Sequence, residues 1–238
     1  MNKVELLQRA KPILFNVDMV QAILKNKKTV TRRIVKNAEI EIKNNYVTIQ
    51  GLDRYGEHID NDSCGFPYTN NEEITRYMNG NYAPYEIGDI LYVRETWKIQ
   101  SMSNSDKRIK FMYRANGNKD LETRYVADDR YKELLKYESK NGWQPSLFMP
   151  KEAARIFLGV TDVRAERLLD MSIEDMIREG VKVSDITTNR GIIKYRVVNR
   201  FQELWDSTIK KKELDMYGMD ANPWVWVIEF EKVEIGDE

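Results

Sequence analysis

Between Lys25 and Lys36 the chain carries six basic residues and no acidic one. The centre of that run, Lys27-Lys28-Thr29-Val30-Thr31-Arg32-Arg33, sets two hydroxyls among the cations. Ammonium and guanidinium donors beside hydroxyls bind phosphate, a carboxylate or the edge of a nucleobase. A lysine crowded by other cations has its ammonium form disfavoured and can serve as a base near neutral pH. A solvated basic turn closing a helix would show the same residues, because cations suit the C-terminal end of the macrodipole. A spacing of three puts side chains on opposite faces of a regular strand. Joint action of Lys28 and Thr31 therefore requires a turn or bulge between them.

The basic run is local, because 38 Lys and Arg balance 38 Asp and Glu over 238 residues. Zero net charge disfavours a protein that coats nucleic acid through many phosphate contacts, but not a compact site for one base or nucleotide. Thirteen tyrosines and five tryptophans mark a folded chain rather than a disordered one. One cysteine, Cys64, and one histidine, His58, leave no disulfide framework and no ordinary zinc ligand set. A Ser-His-Asp or Cys-His apparatus would have to pass through His58, in a polar stretch (53–71) that reads as loop. The expectation is a protein without metal or cofactor, acting through lysine, hydroxyl and carboxylate groups. The lone cysteine suits a reducing, cytoplasmic setting, and Met1–Lys11 has no signal-peptide core. No apolar run approaches the ~20 residues of a membrane span, so no membrane partner is expected.

The elements that must position these residues follow from periodicity. Asn16 is an N-cap for a helix with Val17, Val20, Ile23 and Leu24 on one face, ending near Asn26. A strand is expected at Tyr46–Gln50, within a polar stretch that reads as an insertion with a helix near Glu72–Met78. Ile90 to Trp97 reads as a largely buried strand. Ile109, Phe111 and Tyr113 alternate as a second strand, and Ile156, Leu158 and Val160 as a third. Tyr131, Leu134 and Leu135 suggest a helix in a second insertion. Ser172 followed by Asp175 is a capping pattern, with Gly180 as terminator. Val197, Phe201, Leu204 and Trp205 share a helix face, and Trp224–Phe230 is a strand. The whole predicts one α+β domain over 1–238, with polar insertions at about 37–83 and 115–149.

Three segments, in order, resemble the ASCH family. They are the helix followed by Lys27–Arg33; Gly88-Asp89-Ile90-Leu91-Tyr92-Val93-Arg94-Glu95-Thr96-Trp97; and the stretch from Ala154-Arg155-Ile156 through Val163–Leu168 to Glu174–Gly180. Asn222-Pro223-Trp224-Val225-Trp226-Val227-Ile228 looks like that family's last strand. The resemblance covers about half the chain. It implies a PUA-like β-barrel with flanking helices, in which the segments near Leu91, Phe111, Leu158 and Val227 share the barrel. The combination also looks like ASCH-like proteins of phages and prophages.

PUA-like domains resemble RNA-binding and modified-base-reading modules, so the resemblance implies recognition of RNA or a nucleoside. Lys27, Thr29, Arg32, Arg33, Arg94 and Trp97 are the expected binding residues. One ASCH branch is similar to amidohydrolases that deacetylate N4-acetylcytidine. By motif position it implies Thr31 as nucleophile, Lys28 as its activator and Glu179 for proton transfer. Glu179 falls in the last helical turn, where the dipole disfavours a carboxylate, and an acid so placed hints at function. Surface ion pairing would explain it equally. Arg94 could instead pair with Glu95, and Trp97, Tyr92, Trp224 and Trp226 are more often core than stacking platforms in strands of this kind. A protein-interaction domain, with a partner on the insertions, is the remaining alternative.

Overall fold

The computed structural model describes residues 3–117, 121–138, 142–181 and 190–234. In chain order come α1 (Lys3–Arg9), β1 (Lys11–Leu14), α2 (Val17–Leu24), β2 (Val30–Ile34), β3 (Ala38–Lys43), β4 (Tyr46–Leu52), β5 (His58–Pro67) and α3 (Asn71–Asn81). Then follow β6 (Ile90–Arg94), β7 (Trp97–Ser103), β8 (Arg108–Tyr113), β9 (Leu121–Tyr125) and α4 (Asp128–Glu138). The last are β10 (Phe157–Arg167), α5 (Ile173–Arg178), α6 (Arg190–Ser207), α7 (Leu214–Tyr217) and β11 (Trp224–Val233). The chain is α+β, and it divides into two compact units. The first comprises Met1–Lys28, Gly88–Gly159 and Glu231–Glu238, the second Thr29–Ile87 and Val160–Phe230.

In the first unit, β1 pairs in parallel with β6, which also takes the first residues of β10 antiparallel, Phe157 opposite Tyr92. Asn16 caps α2, its Oδ1 accepting from the Met19 amide at 2.9 Å. Asn26 takes the left-handed conformation (φ 53°) that turns the chain out of that helix, as an asparagine tolerates. The strands β7, β8 and β9 form an antiparallel meander. Its apolar face buries Trp97, Ile109, Phe111 and Tyr113 against Tyr131 and Leu134 of α4. Phe111 therefore lies in a different sheet from Leu91 and Leu158, contrary to the expectation of one barrel holding all three. Among the described residues, no strand ladder closes on itself.

In the second unit, β2 pairs antiparallel with β11, Thr31 opposite Ile228 and Arg33 opposite Trp226. With β10 the strand order is β10-β11-β2. One face of this ladder carries Val30, Val225 and Val227, which bury against Val197, Phe201 and Trp205 of α6 and Met176 of α5. The stretch expected as a polar insertion at 37–83 is folded: β3, β4 and β5 form an antiparallel meander, followed by α3. Thr75 and Asn79 of α3 donate to the Ala165 and Val163 carbonyls of β10, at 3.1 and 2.7 Å. The second expected insertion, 115–149, contributes β9 and α4.

Candidate functional site

Only the end of the basic run is strand. Lys27 is exposed, and Thr29 begins the second unit just before β2. Side chains alternate along β2, so Thr31 and Arg33 share one face while Val30 and Arg32 share the other. Arg32 is fully withdrawn from solvent, and its Nε and Nη2 donate to Glu166 Oε1 at 3.0 and 2.7 Å. Its Nη1 donates to Glu179 Oε1 at 3.3 Å, and Asp175 lies 3.8 Å from Nη2. On the opposite face, Arg33 Nη1 donates to Thr31 Oγ1 at 3.0 Å and to the Arg32 carbonyl at 3.1 Å. Burial pulls the Arg33 guanidinium below its ordinary range, against the opposing pull of Glu179 and the Tyr85 phenol.

The far side of this cluster is the end of α5. The Ser172–Asp175 capping box is present, each side chain bonded to the other's backbone amide. Glu179 occupies the C-cap, its amide donating to the Asp175 carbonyl at 2.9 Å, and Gly180 leaves the helix at φ 105°. The Thr29 amide donates to the Arg178 carbonyl at 3.3 Å, and Thr29 Oγ1 accepts from Arg178 Nε at 3.2 Å. These contacts lay the end of α5 along the start of β2. Glu179 is buried there, beside Arg32 on one face of the strand and electrostatically felt by Arg33 on the other.

Around this pair runs a wider network. Arg178 and Arg164 both donate to Glu229, at 2.5 and 2.8 Å, and Arg164 also reaches Asp162 at 2.6 Å. Burial pushes the Glu229 carboxyl up, but hydrogen bonds from Arg178 and Arg164 outweigh it and hold it below the usual carboxylate range. Asp175 is likewise raised by burial and lowered further by Ser172 and the charges of Arg32 and Arg178. Glu166, Asp175, Arg178 and Glu229 were not among the expected site residues. One signal was present in Asp162, Arg164 and Glu166, which alternate with Val163 and Ala165 and so place charge on one face of β10.

Thr31, Arg32, Arg33 and Glu179 are thus gathered in the second unit. Lys28 belongs to the first, where it is buried with its Nζ 5.7 Å from the centre of the Phe15 ring. Arg32 is committed to Glu166 and Glu179, and Thr29 to Arg178, so both hold the fold together rather than face a ligand. Trp97 is core, wedged between the rings of Phe111 and Tyr137 at 5.9 and 5.2 Å. Tyr92, Trp224 and Trp226 are buried as well. Arg94 does not pair with Glu95 in the way expected. Glu95 is taken by Arg155 in two hydrogen bonds of 2.8 and 3.0 Å, with Arg155 stacked 4.1 Å over Tyr113. His58 contacts Glu39 at an exposed position, 3.0 Å away. Among the described residues, no group of three or more His, Cys, Asp or Glu side chains is placed to hold a metal ion, and no helix is long and apolar enough to cross a membrane. No protein-family model, no curated protein and no solved structure matches the chain.

Proposed function

We propose that this chain is an ASCH-like protein with a PUA-like core that recognises RNA or a modified nucleoside, reading a base with Arg33 and Glu179. The observation that carries this reading is the Arg33–Thr31 hydrogen bond. It spends one donor of the guanidinium on orientation, so that a half-buried, desolvated cation is aimed rather than free to rotate. Poorly solvated charged donors hydrogen-bond a ligand more strongly than exposed ones. Glu179 lies on the Arg32 face and reaches Arg33 through its charge; the family resemblance supplies it as the acceptor that a base edge with both donors and acceptors needs. The test is calorimetric titration of N4-acetylcytidine, cytidine and a short single-stranded RNA into the wild type and Arg33→Ala. Loss of a charged hydrogen bond should weaken binding about tenfold or more. Equal affinity of the two proteins would remove Arg33 from the site.

The same hydrogen bond favours a second reading, metal-independent amide hydrolysis. An N–H aimed at Thr31 Oγ1 stabilises negative charge on that oxygen. In this reaction Thr31 Oγ1 attacks the acetyl carbon, and the C–O bond forms as the C–N4 bond breaks. The hydroxyl proton passes by way of Glu179 to the departing amine, and water then releases acetate from the threonine ester. Lys28 as activator and Glu179 as proton carrier enter through the family resemblance alone. Thr31 is fully buried, which supports recognition through Arg33 over attack by the hydroxyl. Chromatography of N4-acetylcytidine incubated with the protein separates the two readings. Hydrolysis yields cytidine and acetate and stops in Thr31→Ala; recognition alone yields neither and leaves Thr31→Ala binding nearly unchanged.

A further inference from the structure

A groove of about 630 Å³ lies beside α3, lined by Phe66, Pro67, Thr69, Glu73, Arg76, Tyr77 and Asn81. Its size falls in the range of small-ligand sites. Glu73, Tyr77 and Asn81 stand four residues apart on α3, and Arg76 is three residues from Glu73, so one helical face supplies a carboxylate, a ring, an amide and a cation. The opposite wall is the end of β5. Phe66 meets Tyr77 with ring centroids 6.2 Å apart at 53°, so the two rings form a corner rather than a closed stack. Tyr77 also leans on Tyr82 at 6.2 Å, and the Tyr82 hydroxyl donates to Asp62 at 2.7 Å. The Tyr77 ring is thereby held from behind, with a half-exposed side turned to the groove. Asn81 Nδ2 donates to the Tyr77 carbonyl at 2.8 Å. Among the described residues, the side chains of Glu73 and Arg76 make no ion pair or hydrogen bond with the protein.

An aromatic ring beside an uncommitted carboxylate and an uncommitted guanidinium matches a base carrying a phosphate. Bases stack on tyrosine, and their edges are read by polar side chains. An ionised carboxylate only accepts, through two oxygens. It is best satisfied by two adjacent donors on one edge. Of the four common bases, guanine alone presents such a pair, the N1–H and the N2 amine. Arginine is the matching group for phosphate. We propose that this groove is a guanine-nucleotide site, with the base on Tyr77, its N1 and N2 donors on Glu73 and the phosphate on Arg76.

The site is independent of the Thr31–Arg33 reading. The experiment is titration of GMP, AMP, CMP and UMP into the full chain, followed calorimetrically. GMP should saturate and bind roughly tenfold tighter than AMP, the discrimination a bidentate base contact supplies. Glu73→Gln should erase that preference, because an amide offers one acceptor where the carboxylate offers two. Tyr77→Ala should weaken all four nucleotides, while Tyr77→Phe, which keeps the ring, should bind as the wild type does. Arg76→Ala should weaken GMP and leave guanosine unaffected. Equal affinity for GMP and AMP, or a Glu73→Gln variant that keeps the preference, would overturn the assignment. Weakened GMP binding in Arg33→Ala with full binding in Tyr77→Ala would move the nucleotide to the basic strand and overturn it as well.

Discussion

Arg32 and Arg33 are neighbours of identical type that do opposite jobs, because a strand turns consecutive side chains to opposite faces. Arg32 enters the face packed by α5 and α6 and is neutralised by Glu166 and Glu179. Removing one partner of a buried ion pair leaves the other charge uncompensated and costs about 3–5 kcal/mol. Arg32→Ala should therefore lower the stability of the chain by that order in urea unfolding, whereas Lys27→Ala, at an exposed position, should change it by less than about 0.5 kcal/mol. An Arg32→Ala protein as stable as the wild type would mean that Glu166 and Glu179 find other partners. The chain's charge pattern shows that cations cluster here, but it does not tell which of them is buried. That distinction depends on the register of β2 with β11 and on where the end of α5 comes to rest, and neither is a local property.

Strong periodicity was legible at the scale of elements, and weak periodicity was not. The apolar β6 and β11 and the capped α2 and α5 stand where alternation and caps predict them, except that the run expected to continue to Trp97 stops at Arg94 and Trp97 opens β7 in another sheet. The ten-residue strand β5, His58-Ile-Asp-Asn-Asp-Ser-Cys-Gly-Phe-Pro67, reads as loop because it holds few β-formers. It is a strand because β4 offers it a ladder. By contrast β3, with Ile40 and Ile42 between acids and lysine, did carry an alternation that could have found it. The Arg178–Glu229–Arg164 network ties α5 to β11 and β10 and gives the fold an acid limit. Asp175 and Glu229 have lowered carboxyl pKa values in the folded chain. Their stabilisation is fully present above the unfolded carboxylate pKa of about 4 and is lost as pH falls through the lower folded values. Urea midpoints should fall steeply below about pH 4, and Glu229→Gln should flatten that fall while lowering stability at neutral pH. An unchanged acid slope in Glu229→Gln would take this network out of the account.

At the scale of the whole molecule, the α+β class was legible, whereas the division into two units was not. The first unit is assembled from three chain segments and the second from two, with two of the four boundaries passing through β10 and β11. No composition shift or linker marks such boundaries, because both strands are continuous across them. The basic run is itself divided, Lys28 falling to one unit and Thr29–Arg33 to the other. In the proposed function, a nucleoside is read at Thr31 and Arg33. The most direct measurement is a methyl spectrum of threonine-labelled protein titrated with N4-acetylcytidine, with Thr31 assigned by Thr31→Ser. The account predicts a saturable shift of the Thr31 methyl resonance, with Thr69 and Thr75, on and behind the α3 groove, unmoved. A saturating titration that shifts Thr69 or Thr75 but not Thr31, or one that shifts none of them, would contradict it.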